Sequence, residues 1–189
     1  MGFFTLSVKG ALKRVQKETR DEYKKTRSLY NYVRNVDANA IESEKEQTKK
    51  ALEIIGKEIL DEEDKIKAAG REIFAFKDIL PVPDDGTART QERYASQLRG
   101  VIIDTFDKKR AIITEFENVL DDKKISPDTK KSVMQASLKN LLQISDEFFT
   151  VISLLQKIRR FSSFKEFMDH AVGPLKRNLM KIEKEEQDV

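Results

Sequence analysis

The residues best suited to chemistry lie around the single histidine of the chain. Glu166 and His170 are four positions apart, so a helix places both on one face, where a carboxylate and an imidazole can share a metal ion. A di-iron bundle needs a Glu-x-x-His motif on each of two helices plus two further glutamates, and one histidine cannot complete that set. A mononuclear site that borrows carboxylates from other helices is the alternative. We predict a surface pair of Glu166 with His170, and we expect neither a metal nor a cofactor.

Motifs for nucleophilic catalysis are absent from the sequence. There is no cysteine, so thiolate chemistry, disulfides and cysteine-based metal sites are excluded. The chain contains no G-x-S-x-G elbow, no phosphate-binding P-loop and no G-x-G-x-x-G turn. Serine catalysis would depend on His170 alone. The sequence therefore predicts a protein that is not an enzyme and has no catalytic residues.

The N-terminal segment is the strongest candidate for a binding surface. Residues 1–20 combine apolar side chains on one helical face with basic side chains on the other, as in helices that lie on anionic membranes. The residues predicted to contact a membrane or a protein partner are Phe3, Phe4, Lys9, Leu12, Lys13, Arg14, Lys17 and Arg20. The same pattern fits a helix that docks in a partner's groove, and it fits an ordinary core helix that buries its apolar face.

Nucleic acid is the alternative ligand for the basic segments. Basic side chains between Lys9 and Lys25, between Lys123 and Lys139, and at Arg159-Arg160 could track phosphates. However, acidic residues are interleaved with them, the net charge is only +3, and no stacking platform or recognition-helix motif is present. A bundle that binds nucleic acid through basic faces of its first and fourth helices is therefore the second hypothesis.

The architecture is predicted mainly from a long heptad-like repeat. From Ile41 to Leu80, the positions 41, 45, 48, 52, 55, 59, 62, 66, 69, 73, 76 and 80 alternate steps of four and three, and nine of the twelve are apolar. A spacing of 3.5 residues is typical of a helix packed lengthwise against other helices. The exceptions are Lys45, Thr48 and Glu62.

Two charged residues interrupt the apolar faces of helices expected to be neighbours. Glu62 interrupts the repeat, and Lys109 interrupts the inward face of the next helix. A buried charge costs several kcal/mol unless it is paired. We therefore expect Glu62 to pair with Lys109 on an antiparallel neighbour and to set the register of the two helices. Exposure where the bundle opens is the alternative.

Five helical stretches are predicted, with few turns between them. They cover residues 4–36, 39–80, 88–120, 126–158 and 163–182. The fourth stretch is apolar on more than one side, so we expect it to be the central helix. The predicted fold class is all-α: an elongated up-and-down bundle of four to five long helices with coiled-coil-like packing. It forms one domain over residues 1–189, with a Pro/Gly loop at 81–87 and a flexible acidic tail at 183–189.

Local signals mark the ends and the faces of these helices. Capping boxes are expected at Asn39 with Glu42 and at Ser163 with Glu166. Ser126-Pro127 is typical of a helix start, and Gly173-Pro174 predicts a kink or a break. The inward residues expected in the later half of the first helix are Tyr23, Leu29 or Tyr30, Val33 and Val36, and those expected in the third are Ala95, Leu98, Ile102, Phe106, Ile113, Phe116 and Leu120.

Charge and hydropathy limit the location and the partners of the chain. The net charge is +5 in residues 1–37, −6 in 38–122 and +5 in 123–160, as antiparallel neighbours that attract one another require. There is no run of about 18 apolar residues and no secretory signal core. We therefore predict a cytoplasmic scaffold that is peripheral to an anionic membrane surface. Its expected partner is another protein or a second copy of itself in a homodimer.

Overall fold

The structure is a computed structural model that describes residues 2–73 and 88–187. Its first elements are α1 at Gly2–Asn35, α2 at Ala40–Ser43, α3 at Lys45–Ile73, α4 at Ala88–Asp121 and α5 at Pro127–Leu155. A 3-10 turn at Ile158–Arg160, α6 at Phe164–Phe167, a π-helical turn at Met168–Val172 and α7 at Gly173–Gln187 follow. No strand occurs within these ranges. The predicted all-α bundle is confirmed.

The four long helices pack side by side in an up-and-down arrangement. α1 packs against α3 and α5, and α4 packs against the same two helices, so the four form a closed square. Lys65 on α3 pairs with Glu18 on α1, and Lys25 on α1 pairs with Glu58 on α3, so these two helices are antiparallel. The 34 residues of α1 extend about 51 Å at 1.5 Å per residue.

The repeat in α2 and α3 faces the core as predicted. Its buried members are Ile41, Thr48, Leu52, Ile55, Ile59, Glu62 and Ile66. Lys45 is half-buried and reaches Asp121 at the end of α4, with 2.9 Å between Nζ and Oδ1. Positions 69–80 of the repeat and the predicted 81–87 loop lie outside the side chains that the structure describes. The end of the helix at Leu80 lies outside as well.

The inward faces of α1 and α4 differ in part from the prediction. On α1 the buried side chains are Leu12, Val15, Thr19, Glu22, Thr26, Leu29 and Val33, while Tyr23 is only half-buried. On α4, Val101 and Ile112 are buried in place of the expected Ile102 and Ile113, which are half-buried. Positions spaced by alternating steps of three and four face the neighbouring helices along the whole length of a helix, even where such a position holds a polar residue.

α5 occupies the central position that its composition predicts. It contacts α1 and α4 on two sides and α7 on a third. Near its N-terminus the side chain of Lys130 is buried and donates to Oε1 of Glu42 at 2.5 Å and to the carbonyl oxygen of Leu120 at 3.0 Å. This lysine therefore ties α5 to α2 and to the end of α4.

The predicted capping box at Asn39 is wrong. Asn39 has helical dihedral angles, φ −68° and ψ −23°, and its side chain makes no cap hydrogen bond. An N-cap side chain reaches the next backbone N–H groups from an extended residue, so this conformation cannot form the box with Glu42. Instead, Oδ1 of Asp37 accepts a hydrogen bond from the Asn39 amide at 2.9 Å. A turn at Glu44 also separates α2 from α3, so the helix predicted from residue 39 onward is interrupted there.

The second predicted box forms in a modified way. Oγ of Ser163 accepts from the Glu166 amide at 3.1 Å, as expected. The Glu166 carboxylate reaches one residue further back and accepts from the Ser162 amide at 2.8 Å. α6 therefore begins at the predicted place.

The irregularity expected at Gly173-Pro174 is confirmed, one turn earlier than the motif itself. Proline lacks an N–H and its ring displaces the carbonyl four residues before it, here that of His170, within the π-helical turn. Beyond the proline, α7 continues to Gln187. Residues 183–187 are thus helical in place of the predicted flexible tail, because lysine and glutamate are good helix formers.

Removing the cap of α5 should cost stability. Oγ of Ser126 accepts from the Thr129 amide at 3.3 Å, with Pro127 as the first helical residue. We expect Ser126→Ala to lower the free energy of unfolding by about 1 kcal/mol, because one N–H of the first turn loses its acceptor. Urea unfolding followed by circular dichroism measures the change. Ser132→Ala, at an exposed position of the same helix, is the control, and an equal loss in both variants would contradict the capping role.

Candidate functional site

A straight row of basic side chains runs along the outer face of α1. It consists of Lys9, Lys13, Lys17, Arg20, Lys24 and Arg27, all of them exposed. At 100° per residue these positions fall within about 80° of one another, and they extend over about 27 Å. Among the side chains that the structure describes, at 9–68, 89–90 and 92–185, none of the six forms an ion pair with an acidic side chain. We refer to these six residues as the basic stripe.

Other lysines at the seam between α1 and α3 are neutralised. Lys25 pairs with Glu58, and Lys65 pairs with Glu18. Hydrogen bonding to Lys65 lowers the pKa of the Glu18 carboxyl, and the bond to Glu58 raises the pKa of Lys25. The paired lysines join two helices, whereas the basic stripe, which faces away from the core, has no ion-pair partner among the described side chains.

The structure places the predicted surface residues in three different settings. Lys9, Lys13, Arg14, Lys17 and Arg20 are exposed. Leu12 is 1% exposed and belongs to the core, so it cannot contact a membrane while the bundle is closed. Phe3 and Phe4 lie outside the side chains that the structure describes. Lys24 and Arg27 extend the surface beyond the predicted residues, and the continued spacing of basic side chains is the signal that identifies them.

A second basic group lies beside the N-terminal half of α1. Lys157, Arg159 and Arg160 follow the end of α5 and are exposed. Nε2 of Gln156 donates to Oε1 of Gln16 at 3.1 Å, which brings this turn next to α1. The second basic group therefore lies beside the N-terminal part of the basic stripe.

The middle of the bundle contains a buried layer of charged and hydroxyl groups, one from each long helix. It consists of Glu22 on α1, Glu62 on α3, Lys109 on α4 and Ser145 on α5, all of them 0% exposed. Nζ of Lys109 lies 3.5 Å from Oε1 of Glu22 and 3.5 Å from Oε2 of Glu62. Oγ of Ser145 donates to Oε2 of Glu22 at 2.8 Å. We call these four residues the charge layer, and the predicted pairing of Glu62 with Lys109 is confirmed.

Aromatic rings and burial determine the electrostatics of the charge layer. Nζ of Lys109 lies 5.6 Å from the ring centres of both Phe106 and Phe148, within range of cation–π attraction. Burial raises the pKa of Glu62 to about 7, since the attraction of Lys109 does not fully offset the loss of hydration, and Glu22 adds repulsion. Burial likewise raises the pKa of Glu22, against the opposing effects of Lys109 and Ser145.

Among the described residues, two acidic arrangements could hold a metal by residue type. Carboxylate oxygens of Glu18, Glu58 and Asp61 lie within 4.8 Å of one another, but the first two already pair with lysines. Around the histidine, the Glu166 carboxylate accepts hydrogen bonds from Ser162, which lower its pKa, and His170 is exposed with a weaker effect on that pKa. Both arrangements are surface ion-pair or capping groups.

Comparison with known proteins does not assign a function to this chain. No family model, no curated protein and no solved structure matches this chain. None of the helices in the described residues is long and apolar enough to cross a bilayer.

Removing the ammonium of the charge layer should destabilise the bundle strongly. Lys109→Met retains the length of the side chain but leaves two buried carboxyl groups without a cation. We expect the free energy of unfolding at pH 7.5 to fall by about 3 kcal/mol or more, measured by urea unfolding. Lys57→Met, at an exposed position of α3, should change it by less than about 0.5 kcal/mol. Equal effects of the two substitutions would show that Lys109 does not neutralise the layer.

Proposed function

We propose that the protein is a non-enzymatic helical bundle that binds an anionic membrane surface through its basic stripe. The observation that carries the proposal is the contrast between the two sides of α1. Lysines at the seam with α3 pair with glutamates, whereas the six residues of the basic stripe face solvent and have no acidic partner among the described side chains. Unpaired charge of one sign along a straight helix attracts a surface of the opposite sign.

The binding proposed is adsorption rather than insertion. Leu12 and Val15, the apolar side chains that an interfacial helix would bury in lipid, are already packed in the core. Attraction of basic side chains to anionic lipid contributes about 1 kcal/mol for each lysine or arginine near the surface, and it weakens as salt screens the charges. The second basic group at 157–160 lies beside the N-terminal part of the stripe and adds positive charge there.

A membrane fits this surface better than nucleic acid does. Tyr23 and Phe149 border the basic stripe, but both are half-buried, and the guanidinium of Arg20 covers the Phe149 ring at 5.1 Å. Neither of these two rings therefore offers bases an open stacking face. In addition, two of the basic residues at 123–139 are already engaged within the bundle: Lys130 is buried and pairs with Glu42, and Lys131 donates to the Val36 carbonyl at 2.8 Å.

Vesicle co-sedimentation tests the proposal with matched substitutions. One variant carries Lys9→Gln, Lys13→Gln and Lys17→Gln, and the control carries three neutralised lysines elsewhere: Lys50→Gln, Lys123→Gln and Lys124→Gln. All six positions are exposed. For vesicles with 30% phosphatidylserine, we expect binding to weaken by about 100-fold in the stripe variant, at about 1 kcal/mol per lysine, and far less in the control.

Each outcome of the vesicle experiment decides between the hypotheses. Binding to phosphatidylserine vesicles that disappears with neutral vesicles and at high salt supports the proposal. Equal weakening in both variants would mean that net charge alone matters, and it would overturn the role of the stripe. No binding to vesicles, together with salt-sensitive retention of nucleic acid, would favour the alternative ligand.

The proposed role as a scaffold includes self-association of the protein. The repeat at 41–66 is buried within one chain, so its burial does not require a second copy. The exposed apolar side chains Ile54 and Leu60 lie about 120° apart around α3, as isolated surface residues do. A mass measurement in solution would distinguish the predicted homodimer from a monomer.

A further inference from the structure

The charge layer contains more acidic than basic groups. Two carboxyl groups, those of Glu22 and Glu62, share the single ammonium of Lys109, and all three side chains are inaccessible to water. If both carboxyl groups were ionised, the layer would carry a net charge of −1 inside the bundle. An uncompensated charge in such a place costs several kcal/mol, and buried groups commonly change protonation instead.

The neighbouring groups do not supply the missing positive charge. Glu58 on α3 acts on Glu22 but pairs with Lys25, and Glu63, which follows Glu62 and is 8% exposed, pairs with Arg110 and Lys67. Glu18 on α1 pairs with Lys65. α4 contributes Lys109 itself, and α5 contributes the Ser145 hydroxyl and the Phe148 ring. The Thr19 hydroxyl lies near Glu62 but donates to the Val15 carbonyl at 2.9 Å.

The hydrogen-bond geometry is also compatible with protonation of one of the two carboxyl groups. Lys109 lies at the same 3.5 Å distance from both carboxyl groups, longer than the 2.7–2.9 Å of a charge-assisted hydrogen bond. Oε1 of Glu22 and both oxygens of Glu62 have no hydrogen-bond partner. One added proton removes the excess charge and converts an unpartnered oxygen into an O–H donor.

We propose that Glu22 and Glu62 together form a buried proton-binding site, which holds one proton while the four helices are packed and releases it when they separate. This site is independent of the basic stripe. The proton is lost to solvent, and the carboxylates regain their hydration, when the bundle opens. Packing of the four helices is therefore linked to pH.

The direction in which stability changes with pH follows from the pKa of Glu62 in the folded and in the unfolded chain. The raised pKa of Glu62, about 7 in the bundle, compares with about 4.3 for an exposed glutamate. Between these values the folded chain holds one proton more than the unfolded chain. The stabilising contribution is complete below about pH 4.3 and is lost as pH rises through 7. The unfolding equilibrium constant should thus increase by up to about tenfold per pH unit from 5 to near 7, and less steeply above that.

Urea unfolding between pH 5 and 8.5 tests the linkage. All proteins carry His170→Gln, because an imidazole ordinarily titrates in the same range. We expect the unfolding constant of this background protein to rise by about 40-fold between pH 5 and 7, and Glu62→Gln to remove most of the rise. Glu53→Gln, at an exposed position of α3, should retain it. An unchanged slope in Glu62→Gln would overturn the proposal.

Carbon-13 NMR of the glutamate side-chain carboxyls provides a test that requires no substitution in the layer. In the intact protein we expect one or two glutamate carboxyl resonances to titrate near pH 7, well above the rest. If Glu22→Gln folds, it should remove or shift the same transition, because the proton is shared. Completion of every glutamate titration below pH 6 would overturn the proposal, whatever the stability of the variants.

Discussion

At the middle of the bundle, the Lys109 ammonium lies between the carboxyl groups of Glu22 and Glu62, and this arrangement exists in only one alignment of the helices. A shift of α4 along α3 by one turn would place Lys109 beside Ile59 or Ile66 of the same stripe. The lysine and the glutamate would then both be buried without a partner, at a cost of several kcal/mol. Apolar side chains above and below the charge layer favour association, but they discriminate weakly between alignments.

The two sides of α1 use charge in different ways. On the inner side, Glu22 belongs to a layer whose atoms are fully enclosed, where the low dielectric makes pairing decisive. On the outer side, the basic stripe lies in water and is available to an external anion. Lys25 and Glu18, between these faces, form ion pairs with α3. The core fixes the position of α1, and that position determines which basic side chains remain exposed.

Much of the architecture follows from periodicity, because burial of a repeating face is the dominant constraint on long helices. The repeat from Ile41 and the interruptions at Glu62 and Lys109 were sufficient to predict the bundle and one ion pair. Glu22 was missed because the inward face of α1 was chosen by hydrophobicity. Continuing the steps of three and four from Leu12 leads through Thr19, Glu22 and Thr26 to Leu29, all buried.

Other features depend on contacts that no local pattern encodes. The Asn39–Glu42 spacing does not reveal that Asn39 adopts helical dihedral angles and leaves its side chain without a cap hydrogen bond. The shared position of Lys109 between two carboxyl groups requires three helices in space. Similarly, the sequence pattern of the first helix fits contact with lipid, binding to a partner and packing in the core. The exposure of the basic stripe therefore becomes clear only from the structure.

The central claim is that the charge layer selects the alignment of the helices, and a distance measurement tests it most directly. The chain has no cysteine, so Lys57→Cys on α3 and Thr114→Cys on α4, both exposed, give two unique spin-label sites for pulsed electron resonance. In this labelled background, an apolar layer with Glu22→Leu, Glu62→Leu and Lys109→Met should keep or raise the free energy of unfolding. We predict that the narrow label-to-label distance distribution then broadens or divides, with displacements of up to about 5.4 Å per helical turn. The same narrow distribution in both proteins would contradict the account.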